Sequence, residues 1–112
     1  MKFYKIDNQI VFADKALSVG EELVANTTDA AVEKHVPVVE VNEKTVTVKV
    51  GSVEHPSLQA HYIEFILIET KSGIQTKWLK PGDKPEAAFT VNEPVITAYE
   101  YCNLHGLWKK EF

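Results

Sequence analysis

The feature that most limits the fold of this chain is a repeated pattern of short apolar segments separated by turn-forming residues. In residues 44–50, Val46, Val48 and Val50 alternate with polar residues, which is the two-residue period of a strand with one buried face. Residues 61–70 are apolar almost throughout, which indicates a central strand covered on both faces. Clusters of Gly, Pro, Asn and Asp interrupt the pattern. It predicts strands at 38–41, 44–50, 61–70, 74–79, 87–91, 95–101 and 107–112.

Seven short strands with almost no helix between them predict an all-β protein, an immunoglobulin-like seven-stranded β-sandwich. Residues 1–27 differ from the rest, because their apolar residues surround Asp7-Asn8 in the manner of a small hairpin. We therefore predict a short N-terminal β arm over 1–27 and a main domain over 28–112. The apolar residues of the arm need a surface to cover, on the main domain or on a second subunit.

Composition narrows the class of protein. The 112 residues suffice for one domain. The net charge of −4, without any arginine or basic run, argues against nucleic-acid binding. No apolar run reaches the length of a membrane span, and the N-terminus lacks the apolar core of a signal peptide. The single cysteine cannot form an internal disulfide, which is typical of a reducing cytoplasm.

The chemically distinctive stretch lies near the C-terminus. Cys102, the only cysteine, is three residues before His105, and Gly106 follows directly. Thiolate and imidazole are metal ligands, and a short loop can direct both at one ion. Because cysteine is often buried as a small apolar residue, a buried thiol beside a surface histidine is the alternative interpretation of this pair.

The other three histidines lie in equally distinctive segments: Glu-Lys-His-Val-Pro at 33–37, Gly-Ser-Val-Glu-His-Pro at 51–56 and His-Tyr-Ile at 61–63. Together with Lys-Trp-Leu-Lys-Pro-Gly at 77–82 and Tyr-Cys-Asn-Leu-His-Gly-Leu-Trp at 101–108, these segments resemble the catalytic domain of superoxide reductases, the desulfoferrodoxin and neelaredoxin family. The resemblance covers about residues 28–110, and several separated motifs in the same order make it specific.

The resemblance implies the same sandwich fold and an enzyme that reduces superoxide to hydrogen peroxide at a mononuclear iron that alternates between Fe2+ and Fe3+. It implies four equatorial imidazoles and one axial thiolate as iron ligands. The residues at the matching positions are His35, His55, His61, His105 and Cys102.

The donor set itself limits the metal. Five ligands argue against zinc, which prefers a tetrahedron, and one thiolate with imidazoles suits iron or copper. Blue-copper electron carriers add an axial methionine near the site, but Met1 is the only methionine here. An electron-transfer protein, or a sensor of oxygen species or nitric oxide on the same scaffold, is the alternative function.

Two charged residues precede His35. The resemblance implies that Lys34 attracts superoxide and helps to protonate the product, and that Glu33 ligates ferric iron in the resting state. The interpretation from the residues alone is a solvated pair of opposite charges.

The remaining expectations concern the surroundings of the site. In longer desulfoferrodoxins a four-cysteine iron domain stands where residues 1–27 stand here, so the arm is expected to be a remnant without metal. The family often has Met at Ser57 and Trp at Phe65. The expected partners are superoxide, rubredoxin as electron donor, and further copies of the chain in a homodimer or homotetramer. Four aromatic residues are predicted to pack in the interior or behind the ligands: Tyr62, Trp78, Tyr101 and Trp108.

Overall fold

The computed structural model describes residues 1–28 and 35–112, and within these ranges the regular elements are all β-strands. Over the same ranges, no helix has the length and apolar character that crossing a membrane requires. The strands are β1 (Lys2–Ile6), β2 (Gln9–Ala13), β3 (Glu21–Leu23), β4 (Pro37–Asn42), β5 (Thr45–Val50), β6 (Ile63–Thr70), β7 (Gly73–Trp78), β8 (Glu86–Thr90), β9 (Val95–Cys102) and β10 (Gly106–Glu111).

The seven strands predicted for residues 38–112 are all present, as β4 to β10, each within two residues of its predicted bounds. They form two antiparallel sheets, in the orders β10-β9-β6-β7 and β4-β5-β8. The inward face of β5, formed by Val46, Val48 and Val50, is buried in one apolar cluster with side chains from β6 and β9. Cys102 belongs to this cluster. The predicted immunoglobulin-like sandwich is confirmed, and its core reaches the sole cysteine.

The N-terminal arm is a third sheet, in the order β2-β1-β3. The predicted hairpin is β1 and β2, with Asp7 at a φ of 55° in the turn. Strand β3 was not predicted, because two of its three residues are glutamates. Its approach to β1 depends on Gly20, which has a φ of 80° and where a Cβ would lie 2.5 Å from Cγ1 of Ile6.

The arm packs on the outer face of the four-stranded sheet. The ring centroids of Phe3 and Phe12 lie 6.2 Å and 5.3 Å from that of Phe65, and Phe3 lies 4.7 Å from Tyr99. One face of β6 therefore meets the sandwich core and the other meets the arm, which explains its nearly continuous apolar sequence. Whether residues 1–27 and 28–112 are separate domains stays a prediction.

Trp78 lies at the rim of this interface. It was predicted to pack in the interior or behind the ligands, but its place on the edge strand β7 leaves it 55% exposed. One face of its ring stacks on Phe12, with centroids 5.7 Å apart. Phe65 is completely buried beside it and stacks on Tyr101 at 5.9 Å. Phe65 therefore packs between the arm and the sandwich.

A β-bulge lies where β6 begins. Ile63 pairs with Cys102 and Phe65 pairs with Tyr101, so Glu64 is the extra residue. Burial raises the pKa of Glu64 above its ordinary value, and the opposing effect of the Lys5 charge is smaller. The bulge thus holds a carboxyl group whose neutral form the fold favours.

Replacing Glu64 with glutamine is expected to change the pH dependence of stability. A carboxyl group whose pKa is raised by folding stabilises the native state below its unfolded pKa, and this contribution is lost as the pH rises through the folded pKa. Glu64→Gln should therefore gain stability relative to the parent as the pH rises from 4.5 towards 7. Urea unfolding at several pH values measures this. The control is Glu40→Gln, which removes an exposed carboxylate. Equal slopes for the parent and Glu64→Gln would contradict the prediction.

Candidate metal centre

The sequence-predicted ligands converge at one end of the sandwich because of strand register. Pro37, at the start of β4, pairs with Val50, at the end of β5. Ile63, at the start of β6, pairs with Cys102, at the end of β9. The segment before β4, the connection from β5 to β6 and the turn after β9 therefore meet at the same edge. These three segments carry His35, His55, His61, Cys102 and His105.

Four side-chain atoms form a closed cycle of contacts at this edge. Nε2 of His35 lies 3.2 Å from Nε2 of His55 and 3.2 Å from Nδ1 of His105. Sγ of Cys102 lies 3.5 Å from Nε2 of His55 and 3.9 Å from Nδ1 of His105. Each of the four atoms therefore has two neighbours in the cycle. Ligand atoms that surround one metal ion have this arrangement.

The four imidazole rings follow one another around that centre. The centroid of His35 lies 4.8 Å from that of His55, which lies 4.7 Å from that of His61. His105 closes the ring, 5.1 Å from His61 and 4.9 Å from His35. All four neighbouring pairs meet edge to face, with interplanar angles of 64° to 83°. His35 therefore faces His61 across the ring, and His55 faces His105.

The donor atoms fit a metal ion. The ligand atoms of His35, His61, Cys102 and His105 all lie within 4.8 Å of one another. Two nitrogens that bind one ion at about 2.1 Å and at right angles lie about 3.0 Å apart, close to the 3.2 Å contacts of His35. Imidazole nitrogens and a thiolate sulfur are ligands of transition metals. The cluster therefore has the ligand types and the spacing to hold a metal ion.

A backbone carbonyl fixes the orientation of the His55 ring. Nδ1 of His55 lies 2.7 Å from the carbonyl oxygen of Pro56. A carbonyl can only accept a hydrogen bond, so Nδ1 carries the proton and donates it. In the neutral ring the lone pair is then on Nε2, the atom that faces His35 and Cys102. Such a bond to the other ring nitrogen is the usual support of a metal-binding histidine.

The turn that carries Cys102 and His105 is held from two sides. Cys102 pairs with Gly106, whose φ of 86° lies in the left-handed region that closes a three-residue hairpin turn. Within the turn, the Asn103 side chain accepts the Tyr62 N–H at 3.0 Å and donates to the Ala60 carbonyl at 3.1 Å. Asn103 therefore ties this turn to the residues that flank His61.

The connection that carries His55 and His61 is held in the same way. The backbones of Leu58 and His61 exchange two hydrogen bonds, of 2.9 Å and 3.0 Å. Ser57 accepts the Gly82 N–H on its side-chain oxygen at 2.9 Å. The serine that stands where the family often has methionine thus anchors the connection to the turn before β8.

Burial distinguishes the two sides of the site. His35 and His55 are 4% and 3% exposed, and Cys102 is completely buried. His61 is partly buried and His105 is exposed. The cysteine side of the site is therefore buried in the core, and the His105 side is exposed to solvent.

Two of the predicted site residues, Glu33 and Lys34, lie outside the described residues. Conversely, the structure gives particular surroundings to two residues for which the sequence predicts no specific contact. Trp108 contacts both His35 and His105. Glu100 is completely buried. The burial of Glu100 could have been expected from the sequence, because the two-residue period of β9 places it on the same face as Cys102.

Comparisons with known proteins give consistent matches. The family model described as Desulfoferrodoxin matches residues 27–111. A desulfoferrodoxin homolog of Archaeoglobus fulgidus is 52% identical over 83 residues, which cover 74% of this chain and 66% of that protein. The desulfoferrodoxin of Desulfarculus baarsii is 49% identical over 86 residues, which cover 77% of this chain and 68% of that protein. The chain thus spans about two thirds of the length of these relatives.

The fold is also similar to that of a solved enzyme. The crystal structure of the superoxide reductase from Treponema pallidum superposes with a TM-score of 0.76 at 39% sequence identity. The match covers 97% of this chain and 84% of that one, so it includes the N-terminal arm as well as the sandwich.

Proposed function

This chain belongs to the desulfoferrodoxin family, and from that premise we propose that it is a superoxide reductase with one mononuclear iron. The observation that carries the proposal is the closed ring of four imidazoles beside one buried cysteine sulfur. Four nitrogens and a sulfur exceed the four ligands of a structural zinc site. The likeness to a superoxide reductase in both sequence and fold supports the same chemistry.

In the proposed site the four histidines and Cys102 would together hold the iron. The contacts of the cysteine sulfur support this set, because it lies next to both His55 and His105, which face each other across the ring. Iron, when bound, supplies one electron to superoxide and changes from Fe2+ to Fe3+. With two protons, that electron converts superoxide to hydrogen peroxide.

The residues around the iron control access and charge. Ferrous iron, one thiolate and four neutral imidazoles together carry one positive charge, which attracts an anion. Superoxide is an anion and would be drawn to this charge when the iron is bound. Lys34, directly before His35 in the sequence, would add positive charge that attracts the anion and would help to protonate the product.

Glu33 is proposed to ligate ferric iron after the product has left. Glu33→Ala should then alter the absorption spectrum of the oxidised protein but leave the rate of superoxide reduction nearly unchanged, because a ligand that binds after product release cannot lower the barrier to capture. Absorption spectroscopy and stopped-flow kinetics measure the two effects. The matched control is Glu54→Ala, which removes the carboxylate directly before His55. An oxidised spectrum that Glu33→Ala leaves unchanged counts against ligation.

Turnover requires an electron donor, because each superoxide oxidises the iron once. We propose rubredoxin in this role, a homodimer or homotetramer as the assembly, and the cytoplasm as the compartment. The family resemblance supports the donor and the assembly. The presence of a single cysteine supports a reducing compartment.

The test is metal analysis followed by steady-state assay of the purified protein. We expect one iron per chain and many superoxide molecules consumed per iron when an external donor is supplied. A sensor would be oxidised once and then stop. Copper in place of iron would indicate an electron carrier, and either result would reject the proposed function.

A further inference from the structure

We propose that Trp108 is a positioning residue that fixes His35 and His105 relative to each other around the metal. Its ring stacks on the ring of His35, with centroids 4.8 Å apart and an interplanar angle of 16°. Its Nε1–H donates a hydrogen bond to the carbonyl oxygen of His105 at 3.0 Å. One side chain therefore contacts two predicted ligands. This inference rests on the iron centre of the proposed function and does not depend on superoxide as the substrate.

These two ligands need an external support. They are 70 residues apart in sequence, yet Nε2 of His35 lies 3.2 Å from Nδ1 of His105. His105 belongs to a hairpin turn and is exposed, and His35 precedes β4 outside any strand. Side chains on loops are placed less accurately than those on strands. A group that contacts both can set their separation.

Trp108 is itself held rigidly. Trp108 lies in β10, and on one side its backbone pairs with Glu100 of β9. On the other side the backbone of Asn26 forms two hydrogen bonds to the residues that flank Trp108. The Asn26 N–H donates to the Leu107 carbonyl at 2.8 Å, and the Lys109 N–H donates to the Asn26 carbonyl at 2.9 Å. The backbone around Trp108 is therefore hydrogen-bonded on both sides. The sandwich therefore holds Trp108 in place, and the indole contacts both ligands: it stacks on His35 and donates a hydrogen bond to the His105 carbonyl.

The geometry of the two contacts is suited to metal binding. An imidazole lone pair lies in the plane of its ring, so the plane decides where Nε2 of His35 points. A nearly parallel indole constrains that plane while leaving the edge of the imidazole available. The hydrogen bond to the His105 carbonyl constrains the turn without occupying either ring nitrogen of His105. Trp108 thus orients ligands without competing for their metal-binding atoms.

The test compares three variants by two measurements. The first is iron affinity in competition with a chelator, and the second is the position of the absorption band that arises from sulfur-to-iron charge transfer in the oxidised protein. Trp108→Leu loses both contacts and should bind iron about tenfold more weakly, at the low end of effects from partners of metal ligands. Trp108→Phe keeps an aromatic face but loses the N–H donor, and should lose about threefold. The control is Trp78→Leu, which removes the other tryptophan, whose stacking partner is Phe12.

The expected result is a graded loss of iron affinity and a graded shift of the band, with Trp78→Leu at parental values for both. Parental affinity and band in Trp108→Leu would overturn the inference. If Trp108→Leu fails to fold, Trp108→Phe decides: a loss supports the inference and parental values overturn it. An iron-loaded parent that does not reduce superoxide would reject the proposed function while leaving this comparison intact.

Discussion

Replacing Cys102 with serine is expected to abolish the sulfur-to-iron charge-transfer band of the oxidised protein and superoxide reduction with it. Cys102 is the only cysteine, so its thiolate is the only sulfur that can produce such a band in this chain. Its Sγ lies 3.5 Å from Nε2 of His55 and 3.9 Å from Nδ1 of His105, within the cycle of donor atoms. Iron affinity should fall by more than the roughly 10–100-fold that partners behind the ligands contribute.

The serine must be distinguished from a simple loss of folding. Cys102 is completely buried in the sandwich core, and a buried hydroxyl group without a suitable partner costs about 1–3 kcal/mol. Cys102→Ala removes the sulfur but keeps an apolar side chain, so it is the matched variant. Both should lack the band while retaining the circular dichroism of the parent. A folded serine variant with the parental band would show that the axial assignment is wrong.

Replacing Lys34 with alanine is expected to lower the second-order rate constant for superoxide by about tenfold or more. Superoxide is a small anion and the chain carries a net charge of −4, so the protein as a whole repels its proposed substrate. Local positive charge near the metal-binding residues is therefore needed. Lys34 is the only lysine adjacent in sequence to a predicted ligand. Because steering is screened by salt, the variant should also depend less on ionic strength.

Two further variants sharpen this experiment. Lys34→Arg should keep most of the rate, because steering requires charge and not the geometry of the guanidinium group. Lys44→Ala changes the net charge equally but lies before β5, at the end away from the metal-binding edge. Six residues of strand, about 20 Å, separate it from that edge. Stopped-flow or pulse-generated superoxide at several salt concentrations measures all three. An alanine variant at position 34 with the parental rate and salt dependence would remove Lys34 from the mechanism.

The sandwich was predictable because its strands have local signals. The valines of β5 alternate with polar residues, and glycine or proline stands beside several strand ends. Strand β3 lacked such a signal, because its stability depends on pairing with β1 and on the absence of a side chain at Gly20. The exposure of Trp78 was missed for a related reason, since apolar character alone does not show that a strand lies at the edge of a sheet.

The site was predictable in its residue types but not in its geometry. The spacing of Cys102 and His105 indicated a metal loop, and the family motifs supplied the other three histidines. Neither the spacing nor the motifs could show which ring nitrogen of a histidine faces the centre. In His105 it is Nδ1 and in His55 it is Nε2, because of the turn between β9 and β10 and the hydrogen bond to the Pro56 carbonyl. The contact of Trp108 with His35 joins segments more than 70 residues apart, and only the tertiary structure reveals it.

The most direct test of the proposed reductase is the product balance of a single turnover. Ferrous protein is mixed with less than one equivalent of superoxide in the absence of any donor, and ferric iron, hydrogen peroxide and dioxygen are measured together. We predict one ferric iron and one hydrogen peroxide per superoxide consumed, with no dioxygen released. Half an equivalent each of peroxide and dioxygen per superoxide, with the iron still ferrous, would mean dismutation and would contradict the proposed reductase activity.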